Sequence, residues 1–140
     1  MTSPTSLRIP TDVRERLDRV AAHRSERAAS LATRLIDEGL RMTEFPGITF
    51  KDSAASGRVP TLMRGPEVAV VIGVLSGLEA TGEARITETA EWLDIHPSEV
   101  RLAIAYYTAF ADEVDARREL QDRSAAEDRA RYDAEQALLA

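Results

Sequence analysis

The spacing of hydrophobic positions changes along this chain, and each change marks a new element. Leu7 and Ile9 alternate with Ser6 and Arg8, the period-two pattern of a half-buried strand. Pro10 stops the strand, and Thr11 is placed to cap a helix in which Val13, Leu17, Val20 and Ala21 recur at helical spacing. Ser25 offers a second cap before Ala28, Leu31, Ala32, Leu35, Ile36 and Leu40, so another helix is expected within a few residues. A lone strand leaves its backbone donors and acceptors unpaired, and no hairpin partner lies nearby in sequence. A second copy of the chain is the cheapest partner. The expectation is a homodimer joined by a two-stranded antiparallel ribbon.

After Met42 the pattern shifts. Glu44-Phe45-Pro46-Gly47 opens a β-prone run at Ile48–Phe50, a turn-rich stretch covers 51–58, and Val59–Met63 returns, which predicts a small hairpin. Arg64-Gly65-Pro66 breaks the chain, with Pro66 suited to the first position of a helix. Residues 67–78 are β-branched enough for a buried strand. Val68, Val71, Ile72, Leu75 and Leu78 nevertheless form a helical stripe, and a helix ended by Gly77 and Gly82 is expected.

Thr87 can cap a short helix carrying Ala90 and Leu93, Asp94-Ile95-His96 makes a tight connection, and Pro97 starts a longer helix. The buried stripe of that helix is read as Val100, Ala103, Ile104, Tyr107 and Phe110 or Ala111, with Trp92 and Tyr107 in the core. Two helices joined so closely resemble a helix-turn-helix, although a plain three-helix bundle fits the same pattern. Residues 111–140 lack Gly and Pro and are expected to be helical. Their apolar positions are too sparse for a heptad seam, leaving either a solvated tail or a segment that docks on a partner. The fold class is mainly α, in three parts: a dimerising arm over 1–43, a small helical domain with a hairpin over 44–110, and a charged helical tail over 111–140.

Composition changes that picture in two ways. The absence of cysteine excludes a disulfide framework and thiolate metal sites, and no 18-residue apolar run exists to span a membrane. The N-terminus lacks the apolar core of a signal peptide, so a cytoplasmic location with no membrane partner is expected. The net charge of −6 is unevenly divided. Residues 1–42 hold eight arginines against six acids, whereas 43–110 and 111–140 each hold five bases against nine acids, giving +2, −4 and −4. Phosphate attraction is local, so the N-terminal arm alone suits nucleic acid and the acidic remainder suits a protein. Catalysis has little footing. His23 and His96 have no reason to meet, and there is no phosphate loop, nucleophile elbow or HExxH pair. No catalytic residue, metal, cofactor or small-molecule substrate is expected.

The strand–helix–helix order over residues 4–42 resembles the ribbon-helix-helix repressors of the CopG/Arc/MetJ type. The resemblance implies that outward strand residues read base edges in the major groove while inward ones build the dimer core. On this chain Ser6 and Arg8 would face operator DNA, with Pro4 at the margin. Leu7 and Ile9 would face inward, joined in the core by Val13, Leu17, Leu31 and Leu35 from the helices. Arginine suits the O6/N7 pair of guanine, and serine can bond either a base or a phosphate. The resemblance also sets the start of the second helix against a phosphate, here Arg24, Ser25 and Arg27. Glu26 would then have to turn away or cap the helix.

A second resemblance covers about residues 46–115 and rests on PGITFKD at 46–52, GRVPTL at 57–62 and TAEWLDIHPSEVRLAIAYY at 89–107. Taken in that order, these resemble a small domain of VapB-type antitoxins whose genes neighbour PIN-like ribonuclease toxins. Where the family usually carries Gly-Thr before its first helix, this chain has Gly65-Pro66. The two resemblances together imply an antitoxin that neutralises a PIN-like toxin and represses its own operon. The alternatives are a plasmid or phage repressor with no toxin, and a dimeric adaptor that binds no DNA.

Overall fold

The computed structural model describes residues 1–55 and 57–140, so Ser56, in the turn expected over 51–58, lies outside the described residues. The chain divides into two compact units, Met1–Arg41 and Met42–Ala140. Regular structure among the described residues is mainly helical, with one antiparallel hairpin. No helix among them is long and apolar enough to cross a membrane.

In the first unit, residues 1–10 are exposed and carry no regular structure, and Ser6–Ile9 form no strand pairing with the other described residues. Helix α1 spans Thr11–His23. Its N-cap is Pro10 rather than Thr11, because the ring holds φ at −53° and the Pro10 carbonyl already accepts the Arg14 amide at 3.0 Å. Helix α2 spans Ala28–Glu44. Ser25 is not its cap. The Ser25 amide donates to Ala22 and the Glu26 amide to Ala21, at 3.2 and 2.9 Å, and Ser25 sits at φ 55°. That is a Schellman closure of α1, with serine in the left-handed position where glycine is usual. The Leu31 amide then closes onto Arg27, which takes the capping place.

The second unit begins with strands β1 (Ile48–Ser53) and β2 (Gly57–Leu62), paired with Ile48 opposite Leu62 and Phe50 opposite Pro60. The expected hairpin is present and longer than its β-prone runs. Gly47, at φ +106°, enters the hairpin in a conformation that favours glycine, and Leu102 Cδ2 stands only 2.8 Å from where a Cβ would be. Pro66 does not start a helix. Its carbonyl accepts the Leu62 amide at 3.0 Å and extends the hairpin, while Glu67 becomes the N-cap of α3, Val68–Gly77.

The helical reading of 67–78 holds. Val68, Ala69, Val71 and Ile72 are all buried, which explains why this segment is apolar almost all round. Helix α4 runs Gly82–Leu93, so Gly82 opens it and Thr87 lies inside it, its hydroxyl donating to the Glu83 carbonyl at 3.1 Å. Asp94 ends α4 at φ 51°, and α5 follows over Pro97–Ala109. The α5 N-terminus is a capping box in which the Ser98 amide donates to His96 Nδ1 at 3.1 Å and the His96 amide to Glu99 at 2.8 Å. Helix α6 spans Ala111–Leu139, as its composition predicts.

The core joins β1, β2 and α3 to α5, and it corrects two expectations. Tyr106, not Tyr107, is the central aromatic. It is fully buried, with the rings of Phe45, Phe110 and Phe50 at 5.3, 4.8 and 6.5 Å. Tyr107 is half-buried at the edge and donates to Asp115 at 3.1 Å. Trp92 is 70% exposed. Ile86, Thr89, Ala90 and Leu93 form the core side of α4, and at about 100° per residue Trp92 falls roughly 110° from the middle of that side, on its exposed flank.

Glu67 ties the start of α6 to this core. Its carboxylate accepts from Arg117 at 3.0 Å through both oxygens, from Gln121 at 2.9 Å, and pairs with Lys51 at 3.2 Å. The Arg117 guanidinium, aided by Lys51, holds the Glu67 carboxyl below its ordinary value despite burial. From Asp122 onward every residue of the chain is exposed.

Candidate nucleic-acid and dimer interface

The first unit is too small to hide its apolar residues. Among its described residues only Ala21 and Leu31 are buried hydrophobics. Ile9, Val13, Leu17, Leu31 and Leu35 line one apolar groove of about 330 Å³ between α1, α2 and the preceding segment, joined by Val20 and Ile36. Five of the six residues expected in a dimer core therefore meet around one surface. Leu7, 63% exposed, does not line the groove. Ile36 was not among the expected core residues, although its place in the α2 apolar stripe carried the signal.

Ser6 and Arg8 are exposed beside this face in sequence, and Arg8 has no ion pair among the described residues. The three expected phosphate contacts are less uniform. Arg27 is exposed at the start of α2 with its guanidinium unpaired among the described residues. Arg24 instead donates to Glu26 at 3.2 Å, and Arg34 donates to the same oxygen at 2.9 Å. Arg34 and then Arg24 hold the Glu26 carboxyl below its ordinary range. Glu26 thus turns toward two arginines rather than capping α2. Ser25 is exposed, but its backbone serves the end of α1.

The α4–α5 pair has the short connection of a helix-turn-helix and the wrong electrostatics for one that reads DNA. Between Thr87 and Phe110 its only base is Arg101, against Glu88, Glu91, Asp94 and Glu99. Arg101 forms a two-pronged pair with Glu83, one contact being 2.9 Å. Neither that arginine nor Arg85 of α4, which donates to the Ala80 and Leu78 carbonyls, is left free for a phosphate among the described residues. His96, the one histidine of this region, is occupied in the capping box. No cluster of three or more potential metal ligands occurs among the described residues.

No protein-family model, curated protein or solved structure matches this chain.

Proposed function

We propose that this chain is the antitoxin of a type II toxin–antitoxin pair, acting as a homodimer that binds its own operator and neutralises a PIN-like ribonuclease. The observation that carries the reading is the uncovered apolar groove of the first unit, flanked in sequence by an exposed basic strand-forming segment. A second copy covers the groove, and pairing of the two Ser6–Ile9 segments satisfies their backbone groups. The ribbon so formed presents Ser6 and Arg8 from both chains to the major groove. Arg27 positions the dimer on a phosphate without contributing sequence preference. The acidic remainder meets the toxin, and the exposed part of α6 offers helix that docking would stabilise.

The test is a mobility-shift assay on DNA upstream of the gene, with Arg8→Ala and size-exclusion mass run in parallel. Losing one bidentate guanine contact costs roughly 1–3 kcal/mol, and two-fold symmetry removes it twice. Arg8→Ala should therefore lose specific binding while remaining dimeric. Unchanged operator affinity in this variant would remove the base-reading role, and a monomeric parent protein would remove the ribbon. Co-purification with the product of the adjacent open reading frame tests the toxin separately.

A further inference from the structure

Trp92 is the chain's only tryptophan, and it stands 70% exposed on α4. The helix does not need it for packing, because Thr89 and Ala90, with Ile86 and Leu93 beside them, fill its core side. An indole buries about 150–250 Å² when covered, and tryptophan is enriched among the residues that dominate binding energy.

The surroundings specify the charge of a partner. From Glu79 to Glu99 the chain carries six acids against Arg85 alone. Glu88 lies one helical turn before Trp92 on the same face, and Glu91 is its neighbour in sequence. Neither carboxylate has a hydrogen bond or ion pair among the described residues. The nearby cations are engaged elsewhere. Arg85 donates to the Ala80 and Leu78 carbonyls at 2.6 and 2.8 Å, and Arg101 is held by Glu83.

We infer that this face of α4 docks an arginine-presenting protein surface, with a guanidinium lying on the Trp92 ring and donating to Glu88 or Glu91. A guanidinium is planar, weakly hydrated, stacks on aromatic faces and donates in a fork, so one side chain answers both features of the patch. Lysine would supply the charge without the stacking. Nucleic acid is repelled by the same carboxylates. The inference rests on the proposed function only in making the toxin the bearer of that surface, and the docking chemistry stands on α4 itself.

The experiment titrates the full-length ¹⁵N-labelled chain with a short oligoarginine peptide and with an oligolysine of equal charge. Amide shifts locate the site, and fluorescence reports Trp92 directly because no other indole is present. Shifts should concentrate on α4, Trp92 emission should change, and oligoarginine should bind about two- to fivefold tighter than oligolysine, the gain of an exposed cation–π contact. Trp92→Leu should erase that preference while Glu88→Gln weakens both peptides, with the helical melt unmoved. Shifts spread evenly over the acids of α6, or an arginine preference that survives Trp92→Leu, would overturn the inference. So would a drop in self-association on Trp92→Leu, since a second copy would then be the occupant. Toxin capture by the parent but equally by Trp92→Leu would sink this surface while leaving the antitoxin reading intact.

Discussion

Leu31 and Tyr106 are both fully buried, yet they belong to cores of very different completeness. Around Tyr106, the hairpin, α3, α4, α5 and the start of α6 close over aliphatic and aromatic side chains from all sides. Around Leu31, Val13, Val20, Leu35 and Ile36 are still 42–50% exposed. The second unit has about a hundred residues in which to fold its apolar stripes onto one another, while the first has two helices. Chains near 40 residues rarely bury enough surface alone and usually recruit a partner, a metal or a disulfide. This chain has no cysteine to supply a disulfide, and the proposed second copy would supply the partner. The same kind of residue is therefore placed differently in the two units: in a filled core in one, on an uncovered face in the other, which the proposed dimer would bury.

That contrast can be attacked most strongly through Tyr106. Tyr106→Ala should cost the second unit about 3–5 kcal/mol, the range for truncating a buried aromatic residue, read by urea unfolding. Amide-exchange protection of α1 should not move, and its collapse together with the second unit would show that the two cores are not independent.

Leu35→Ala sharpens the contrast from the other side. Were the first unit complete as a single chain, truncating this 49% exposed residue would change stability by no more than about 0.5 kcal/mol. In a shared core the loss is roughly 2–5 kcal/mol and depends on protein concentration. Thermal melts at several concentrations separate the two cases.

Glu67→Gln is expected to cost roughly 1.5–3 kcal/mol, since it replaces the carboxylate that accepts the Arg117 fork with a neutral amide at a half-buried site. The linked pH dependence has a definite sign. The folded carboxyl lies below its ordinary value of 4.5, so its contribution is fully present above that pH and fades as pH falls through the folded value. Exchange at α6 should therefore quicken on acidification in the parent and change less in Glu67→Gln. A parent without that acid response would mean the Glu67 clasp does not hold α6.

The smallest effect is a gain. Ser25→Gly should stabilise the first unit by about 1 kcal/mol by relieving a left-handed non-glycine residue. If the Ser25 hydroxyl also contacts a phosphate, the same variant weakens DNA binding as it raises the melting temperature. Destabilisation by glycine would mean that the hydroxyl holds the turn.

Much of the element order was legible in the residues. Both first helices, the hairpin, the helical choice for Val68–Gly77 and the long α6 follow from periodicity, Pro and Gly punctuation and composition, which act over a few residues. The misread helix starts all fall on residue types that favour such positions. Backbone hydrogen bonds drew Ser25 into the turn that closes α1 and Pro66 onto the hairpin, while at Thr11 and Thr87 the helix begins earlier, at the Pro10 cap and at Gly82. Trp92 was misjudged for a related reason, since bulk and hydrophobicity say that a residue can be buried but not which side of its helix faces the core.

Local chemistry thus determined the elements, the uneven charge and the surplus of apolar residues in the first unit. Only the tertiary structure decided that Tyr106 is the central ring, that Glu67 gathers Lys51, Arg117 and Gln121, and that Glu26 draws Arg24 toward itself. Glu67 and Gln121 stand 54 positions apart. Such contacts depend on how whole elements pack, and no short-range rule of spacing or propensity encodes that.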